Sequence, residues 1–312
     1  MKSTGAGKAK PSWSWDTALQ GVIPPMISPL DESGNPDESA THELVEHILA
    51  GGCSGLFVLG GCGEGAYLTS GQRATVIRAA VRVAAERVPV LVGCMLPATG
   101  PAIEAGRQAR DLGTDALVIG SPYYYPVDGD MQRRHVETIL QEVPLPILLY
   151  NIPQATHHPV CPAIVATLAR DARVLGIKDS AGDFAAFLRM LAVKKTRPAF
   201  RVLQGNESLA VASLLHGGDG LVPGLANLVP ALFVSLCEAA RLGDVAKCRH
   251  LQAQVEDLGT LHRHGHWLPA LKAACAALGI GNGLPSPPLI PVTSEERRAI
   301  EEILVRHRLI NR

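Results

Sequence analysis

The chain has 312 residues, 47% of them hydrophobic and 19% charged, with 29 Lys plus Arg against 29 Asp plus Glu. That is ample material for a core, and a net charge of zero argues against a nucleic-acid or membrane-surface partner, leaving small-molecule chemistry as the default. No apolar run approaches the ~18 residues of a membrane span, and seven scattered cysteines without a C-x-x-C pair fit a reducing cytoplasm better than a disulfide framework or a zinc site.

The first 17 residues are basic and Gly/Ser-rich with no apolar stretch behind them, which predicts a loose arm rather than a secretory signal. Eight apolar runs follow, at 21–28, 55–60, 88–94, 115–122, 146–153, 174–180, 201–206 and 220–224. They are rich in β-branched residues and lack polar alternation, as parallel strands buried on both faces require. The segments between them carry helical spacing. Asp37 or Ser39 can cap the first, and further helices are expected after Ser70, around 99–113 and around 130–143.

Eight strand–helix units predict an α/β fold, a (β/α)8 TIM barrel over 18–242; a doubly wound open sheet is the alternative. Beyond 242 the strand pattern stops, and 243–312 reads as a C-terminal helical extension interrupted by the Pro/Gly linker "GNGLPSPPLIPV".

In a barrel the reacting groups stand at the C-terminal ends of strands. The third-from-last run ends in "GIKDS". Lys178 there is the conspicuous residue, because a buried strand tolerates a lysine only if it is paired or neutral. One reading is a snorkelling or salt-bridged lysine, with Asp179 adjacent. The other draws on the tyrosines: four of the five, Tyr123, Tyr124, Tyr125 and Tyr150, end the two preceding runs. An amine flanked by phenols is a constellation for Schiff-base chemistry, in which the amine attacks a carbonyl and a phenol moves protons. Packing is the competing explanation for any one tyrosine.

The loop "GGCGEGA" contains G-x-G-x-x-A, a weak dinucleotide signal. The next strand ends in Cys94–Met95 rather than an acid, so a nucleotide is not expected. Backbone N–H groups receiving a carboxylate suit the loop better. Glu64 reads as a structural tie or an acid/base, and Cys62 as a residue lining the site rather than a nucleophile. The histidines of "HRHGH" at 262–266 and His157–His158 match no zinc pattern and read as surface or helix-end residues.

"GGCGEG", "SPYYY", "YNIP" and "GIKDSAGD", in this order, resemble the dihydrodipicolinate synthase/N-acetylneuraminate lyase family over roughly residues 18–308. The resemblance implies a barrel with C-terminal helices, a homotetramer built from dimers, and class I lyase chemistry on pyruvate or another 2-oxo acid, with no metal or organic cofactor. It implies that Lys178 forms the Schiff base, that Tyr150 moves protons, and that Tyr124 reaches the neighbouring subunit's site. Gly61 and Cys62 match the pair that binds the pyruvate carboxylate, and Val222 a residue whose backbone lines the pocket. Two departures stand out. The synthase has Thr-Thr where this chain has Gly61–Cys62, and an arginine where it has Ala155. They point away from the synthase as the main role and make it the runner-up, while the Gly-Gly-x-Gly-Glu loop and "KDSAGD" look more like the aldolases and dehydratases acting on 2-keto-3-deoxy sugar acids or 4-hydroxy-2-oxoglutarate. A barrel that binds a 2-oxo acid without turnover is the alternative of another class.

Overall fold

Seven of the eight apolar runs are strands in the computed structural model, which describes residues 12–311. Of the expected arm, residues 1–11 lie outside the described residues, while Trp15–Ala18 form a short helix, α1, capped by Ser14.

The chain then runs through α2 (Glu38–Ala50), β1 (Leu56–Val58), α3 (Ser70–Ala84), β2 (Val90–Gly93), α4 (Thr99–Asp111), β3 (Ala116–Gly120) and α5 (Gly129–Glu142). It continues through β4 (Ile147–Asn151), α6 (Pro153–Thr156), α7 (Pro162–Leu168), β5 (Val174–Asp179), α8 (Phe184–Leu191), β6 (Arg201–Gln204), α9 (Ala210–Leu215) and β7 (Gly220–Leu221). The helices α10 (Pro230–Arg241), α11 (Val245–Gly259), α12 (Trp267–Ala277) and α13 (Ser294–Arg306) follow.

The strands pair in chain order, all parallel, in one curled sheet. The helix starts follow local chemistry. Asp37 accepts the Ala40 N–H at the head of α2, and Thr69 with Gln72 forms a capping box on α3.

The run at 21–28 is not a ladder strand. It makes two isolated parallel bridges, Val22 to Leu221 of β7 and Pro25 to Phe57 of β1. The cause is Pro24 and Pro25, which have no N–H to donate, so continuous pairing is impossible. Ile23 N–H donates to Leu221 O (2.9 Å) and Met26 N–H to Phe57 O (2.8 Å), while the Gly21 and Pro24 carbonyls accept from the Leu221 and Phe57 N–H groups (2.9 and 3.1 Å).

Side chains alternate about the sheet, so one set packs inward and the other against the helices. Phe57, Leu91, Val118, Leu148, Tyr150 and Leu203 share the inner cluster, while their strand neighbours belong to the larger sheet–helix core. No helix among the described residues is long and apolar enough to cross a membrane.

Candidate active site

Lys178 owes its direction to an irregularity in β5. Ile147 pairs with Val174, but Leu148 pairs with Gly176, so Leu175 is an extra residue. If the Ile147–Val174 register ran on without that bulge, strand alternation would turn Lys178 to the helix side. With it, Tyr150 and Lys178 are register partners on the inner face. The ammonium lies 4.1 Å from the centroid of the Tyr150 ring and 5.0 Å from that of Phe57.

Both Lys178 and Tyr150 are buried. Asp179 does not pair with the lysine. It takes a 2.7 Å hydrogen bond from Asn151 Nδ2, and Asn151 Oδ1 in turn accepts the Val160 N–H, tying the ends of β4 and β5 together. Among the described residues Lys178 Nζ has no hydrogen-bond or ion-pair partner.

The amine faces a cavity of about 210 Å3 lined by Cys62, Tyr150, Glu207, Val222, Gly224 and Trp267 among others. Gly205 makes room for it: a Cβ there would sit 2.7 Å from Lys178 Cε and closer still to Ser180 Oγ. Val222 is buried, and its N–H donates to Gln204 O (2.8 Å).

The Cys62 thiol lines the same space, but burial pushes it up to about 12 against the opposing pull of Lys178, so it is an inert thiol at neutral pH. Gly61 is exposed and lines a second, outer cavity of about 490 Å3. Among the described residues neither Gly61 nor Cys62 N–H donates to a backbone carbonyl.

The loop carrying this pair is strained and anchored. Leu59 (φ +58°) and Glu64 (φ +54°) occupy the left-handed region, which costs on the order of 1 kcal/mol each for a side chain with a Cβ. The Glu64 carboxylate holds the turn. It accepts from Lys272 Nζ of α12 and from the Ser286 N–H, each at 2.6 Å, and Lys272 also donates to Ser28 O (2.9 Å). Both side chains are buried. Burial drives the Lys272 pKa down while Glu64 opposes the shift. Glu64 is a tie between loop and C-terminal helices.

Three features of the cavity went unread in the sequence. Glu207, after β6, accepts the Leu225 N–H on Oε1 (2.7 Å), and burial raises its carboxyl to about 7, with backbone N–H groups and Lys178 pulling the other way. The signal was present in "QGNE" as an acid at a strand end. Gly205 stands beside it. The third is the turn before α12. His262 and Trp267 line the inner cavity, and His266 and Trp267 the outer one. These histidines are therefore not mere surface residues, because α12 leans over the strand ends and carries the turn with it. His266 does cap α12, accepting the Leu268 N–H.

Tyr124 stands apart. It is 82% exposed at φ +84°, stacked edge-on with Tyr125, and lines neither cavity. Ala155 lines the outer cavity, which no lysine or arginine borders.

This chain belongs to the dihydrodipicolinate synthetase family, which it matches over residues 18–307. It is 33% identical to a 4-hydroxy-tetrahydrodipicolinate synthase of Xylella fastidiosa over 88% of this chain and 90% of that one. It is 36% identical to the putative 2-dehydro-3-deoxy-D-gluconate aldolase YagE of Escherichia coli over 73% of this chain and 76% of that one. The solved structure of YagE in complex with pyruvate superposes with a TM-score of 0.89 at 30% identity, covering 93% of this chain and 99% of that one. A dihydrodipicolinate synthase from Acinetobacter baumannii complexed with pyruvate superposes with a TM-score of 0.87 at 27% identity, covering 94% and 100%.

Proposed function

We propose that the chain is a class I lyase that cleaves a 2-oxo acid of the 2-keto-3-deoxy sugar acid or 4-hydroxy-2-oxoglutarate type, releasing pyruvate and an aldehyde. The observation that carries this reading is the unpaired Lys178 amine, 4.1 Å from the Tyr150 ring, inside a cavity. An amine without a counter-ion is available as a nucleophile.

Lys178 attacks the C2 ketone, and loss of water gives an iminium. Tyr150 takes the proton from the C4 hydroxyl, the C3–C4 bond breaks, and its electron pair flows into the iminium. The aldehyde leaves, the resulting enamine is protonated at C3, and hydrolysis frees pyruvate and the lysine. The iminium is the electron sink. The N–H groups of Gly61 and Cys62, which donate to no backbone carbonyl among the described residues, hold the substrate carboxylate where the outer cavity, lined by Gly61, meets the inner one, lined by Cys62 and Val222.

The stave at 21–28, bridged to both β7 and β1, supports an eight-membered barrel over 18–242, with 243–312 as its helical extension. The exposed Tyr124 supports a homotetramer in which this phenol enters a neighbouring subunit's site. The same amine would serve a dehydratase of a 2-keto-3-deoxy acid. It would also serve the synthase named among the relatives, although Ala155 leaves an aspartate-semialdehyde carboxylate without a cationic partner.

The test is borohydride reduction in the presence of pyruvate followed by peptide mass spectrometry. A pyruvyl adduct on Lys178 is the expected result. No adduct, under conditions that label a family member of known activity, overturns the reading and leaves a barrel that binds without turnover.

A further inference from the structure

The inner and outer cavities share a wall. Ile152 and Trp267 line both, so a ligand that spans from the amine into the outer cavity passes these two side chains. Trp267 is the first residue of α12 and is 41% exposed. Its ring is flanked by those of His266 (5.8 Å between centroids) and His262 (6.4 Å), and His262 Nδ1 is 3.2 Å from the Trp267 carbonyl. The residue is thus held between two imidazoles and its neighbours while it borders both cavities.

No lysine or arginine lines the outer cavity, although Arg73 acts on the lining residue Tyr123 from behind it. Its one carboxylate, Glu64, is already neutralised by Lys272, and its one imidazole, His266, accepts the Leu268 N–H. Its side-chain amide, Gln154, donates to the Ser180 and Ala181 carbonyls, and the Thr156 hydroxyl donates to the backbone of its own turn. With the Gly61 N–H engaged by the carboxylate of the pyruvyl half, what is left for the aldehyde half is apolar surface from Leu59, Met95, Ile152 and Trp267, and the phenol hydroxyls of Tyr67 and Tyr123, which make no protein hydrogen bond among the described residues. A second carboxylate in this space would be desolvated without a partner, which is costly. A chain of carbons bearing hydroxyls would not be: its C–H face rests on an aromatic ring and its hydroxyls meet phenols.

We propose that the outer cavity is the aldehyde subsite, that it takes an uncharged hydroxylated aldehyde, and that Trp267 is the residue that determines this specificity. This rests on Lys178 forming the pyruvyl Schiff base. It divides the two substrate types named above, favouring the sugar acid and disfavouring 4-hydroxy-2-oxoglutarate, whose aldehyde half carries a carboxylate.

The test is condensation of pyruvate with glyceraldehyde, glyoxylate or succinic semialdehyde, in the wild type and in Trp267→Ala, Trp267→Phe and Ala155→Arg. The wild type is expected to prefer glyceraldehyde in kcat/KM by tenfold or more, roughly the factor set by an unpaired buried charge. Trp267→Ala is expected to raise the KM for glyceraldehyde roughly tenfold, the loss of one stacking face, while the KM for pyruvate moves far less. Trp267→Phe, which keeps an aromatic face, is expected to recover most of that loss. Ala155→Arg is expected to shift preference toward the two charged aldehydes. A wild type that prefers glyoxylate or succinic semialdehyde overturns the proposal, as does a Trp267→Phe enzyme whose KM values for both substrates rise together. The borohydride adduct on wild-type Lys178 separates the two levels. If it forms and the aldehyde ranking is wrong, only the subsite assignment fails; if it does not form, the Schiff-base reading fails with it.

Discussion

Two lysines are buried among the described residues, and they are buried differently. Lys272 lies under the loop at 60–66 with Glu64 and the Ser28 carbonyl as partners, so its charge is answered. Lys178 lies about as deep, yet its amine faces aromatic rings and a cavity. A buried charge removed from water is tolerated when it is paired, and the pair then fixes the geometry around it. A buried amine left unpaired finds its partner in a ligand. The first arrangement holds a loop in place, and the second keeps a nucleophile available. The same side chain is scaffold in one setting and reagent in the other, and only its partners tell them apart.

Substitution should separate the two. Replacing Lys178 with Ala is expected to abolish turnover, by roughly 10,000-fold or more, because the covalent intermediate is lost. The thermal unfolding midpoint should change little, since no ion pair is broken. Residual activity within tenfold of the wild type would place the nucleophile elsewhere. Replacing Lys272 with Met should do the reverse and act on stability. It leaves the Glu64 carboxylate buried and alone, which costs about 3–5 kcal/mol, read as a lower urea midpoint. The double replacement Glu64→Gln with Lys272→Met should recover a large part of that loss. If the single and double variants were equally unstable, the ion pair would not be what holds the loop.

The smallest effect belongs to Glu207, the acid that shares the cavity with Lys178. Burial raises its carboxyl from 4.5 to about 7. The folded protein therefore binds a proton that the unfolded chain has released, and this contribution to stability is fully present below about pH 4.5. It is lost as the pH rises through about 7, a change of about 1–3 kcal/mol. Glu207→Gln should flatten that slope in urea titrations between those limits, and an unaltered slope would assign it to other groups.

Much of this was legible in the chain. Continuous apolar runs announced seven strands, because strands covered on both faces have no polar side to show. Caps such as Asp37 and Thr69 marked helix starts, since their chemistry is local. The run at 21–28 misled in part: its apolar content was right for the position, but Pro24 and Pro25 limit it to isolated bridges. Lys178 and Tyr150 could be picked out as residues ending strands, Cys62 as a residue of the glycine loop and Val222 through the family resemblance, and they meet around one cavity. Gly61 opens instead on the outer cavity, and the exposed Tyr124 lines neither. Glu207 and Trp267 escaped notice for different reasons. The acid stood in plain view at a strand end without a partner in sequence to mark it. The tryptophan begins a helix some ninety residues after Lys178, and only tertiary packing brings it over the strand ends.

The bulge in β5 carries a consequence of its own. The ladder from Gly176 to Lys178 is set by its pairing with Leu148, Leu149 and Tyr150, and the extra residue at 175 takes up whatever precedes it. Losing Leu175 would give a regular ladder in which Lys178 still faces Tyr150, whereas a slip of the pairing by one residue after 176 would present the amine to the helices. For this stretch, register is a stricter requirement than length. Relatives of this chain that lack one residue ahead of the glycine would keep the site, and those in which the pairing itself has slipped would keep only the motif.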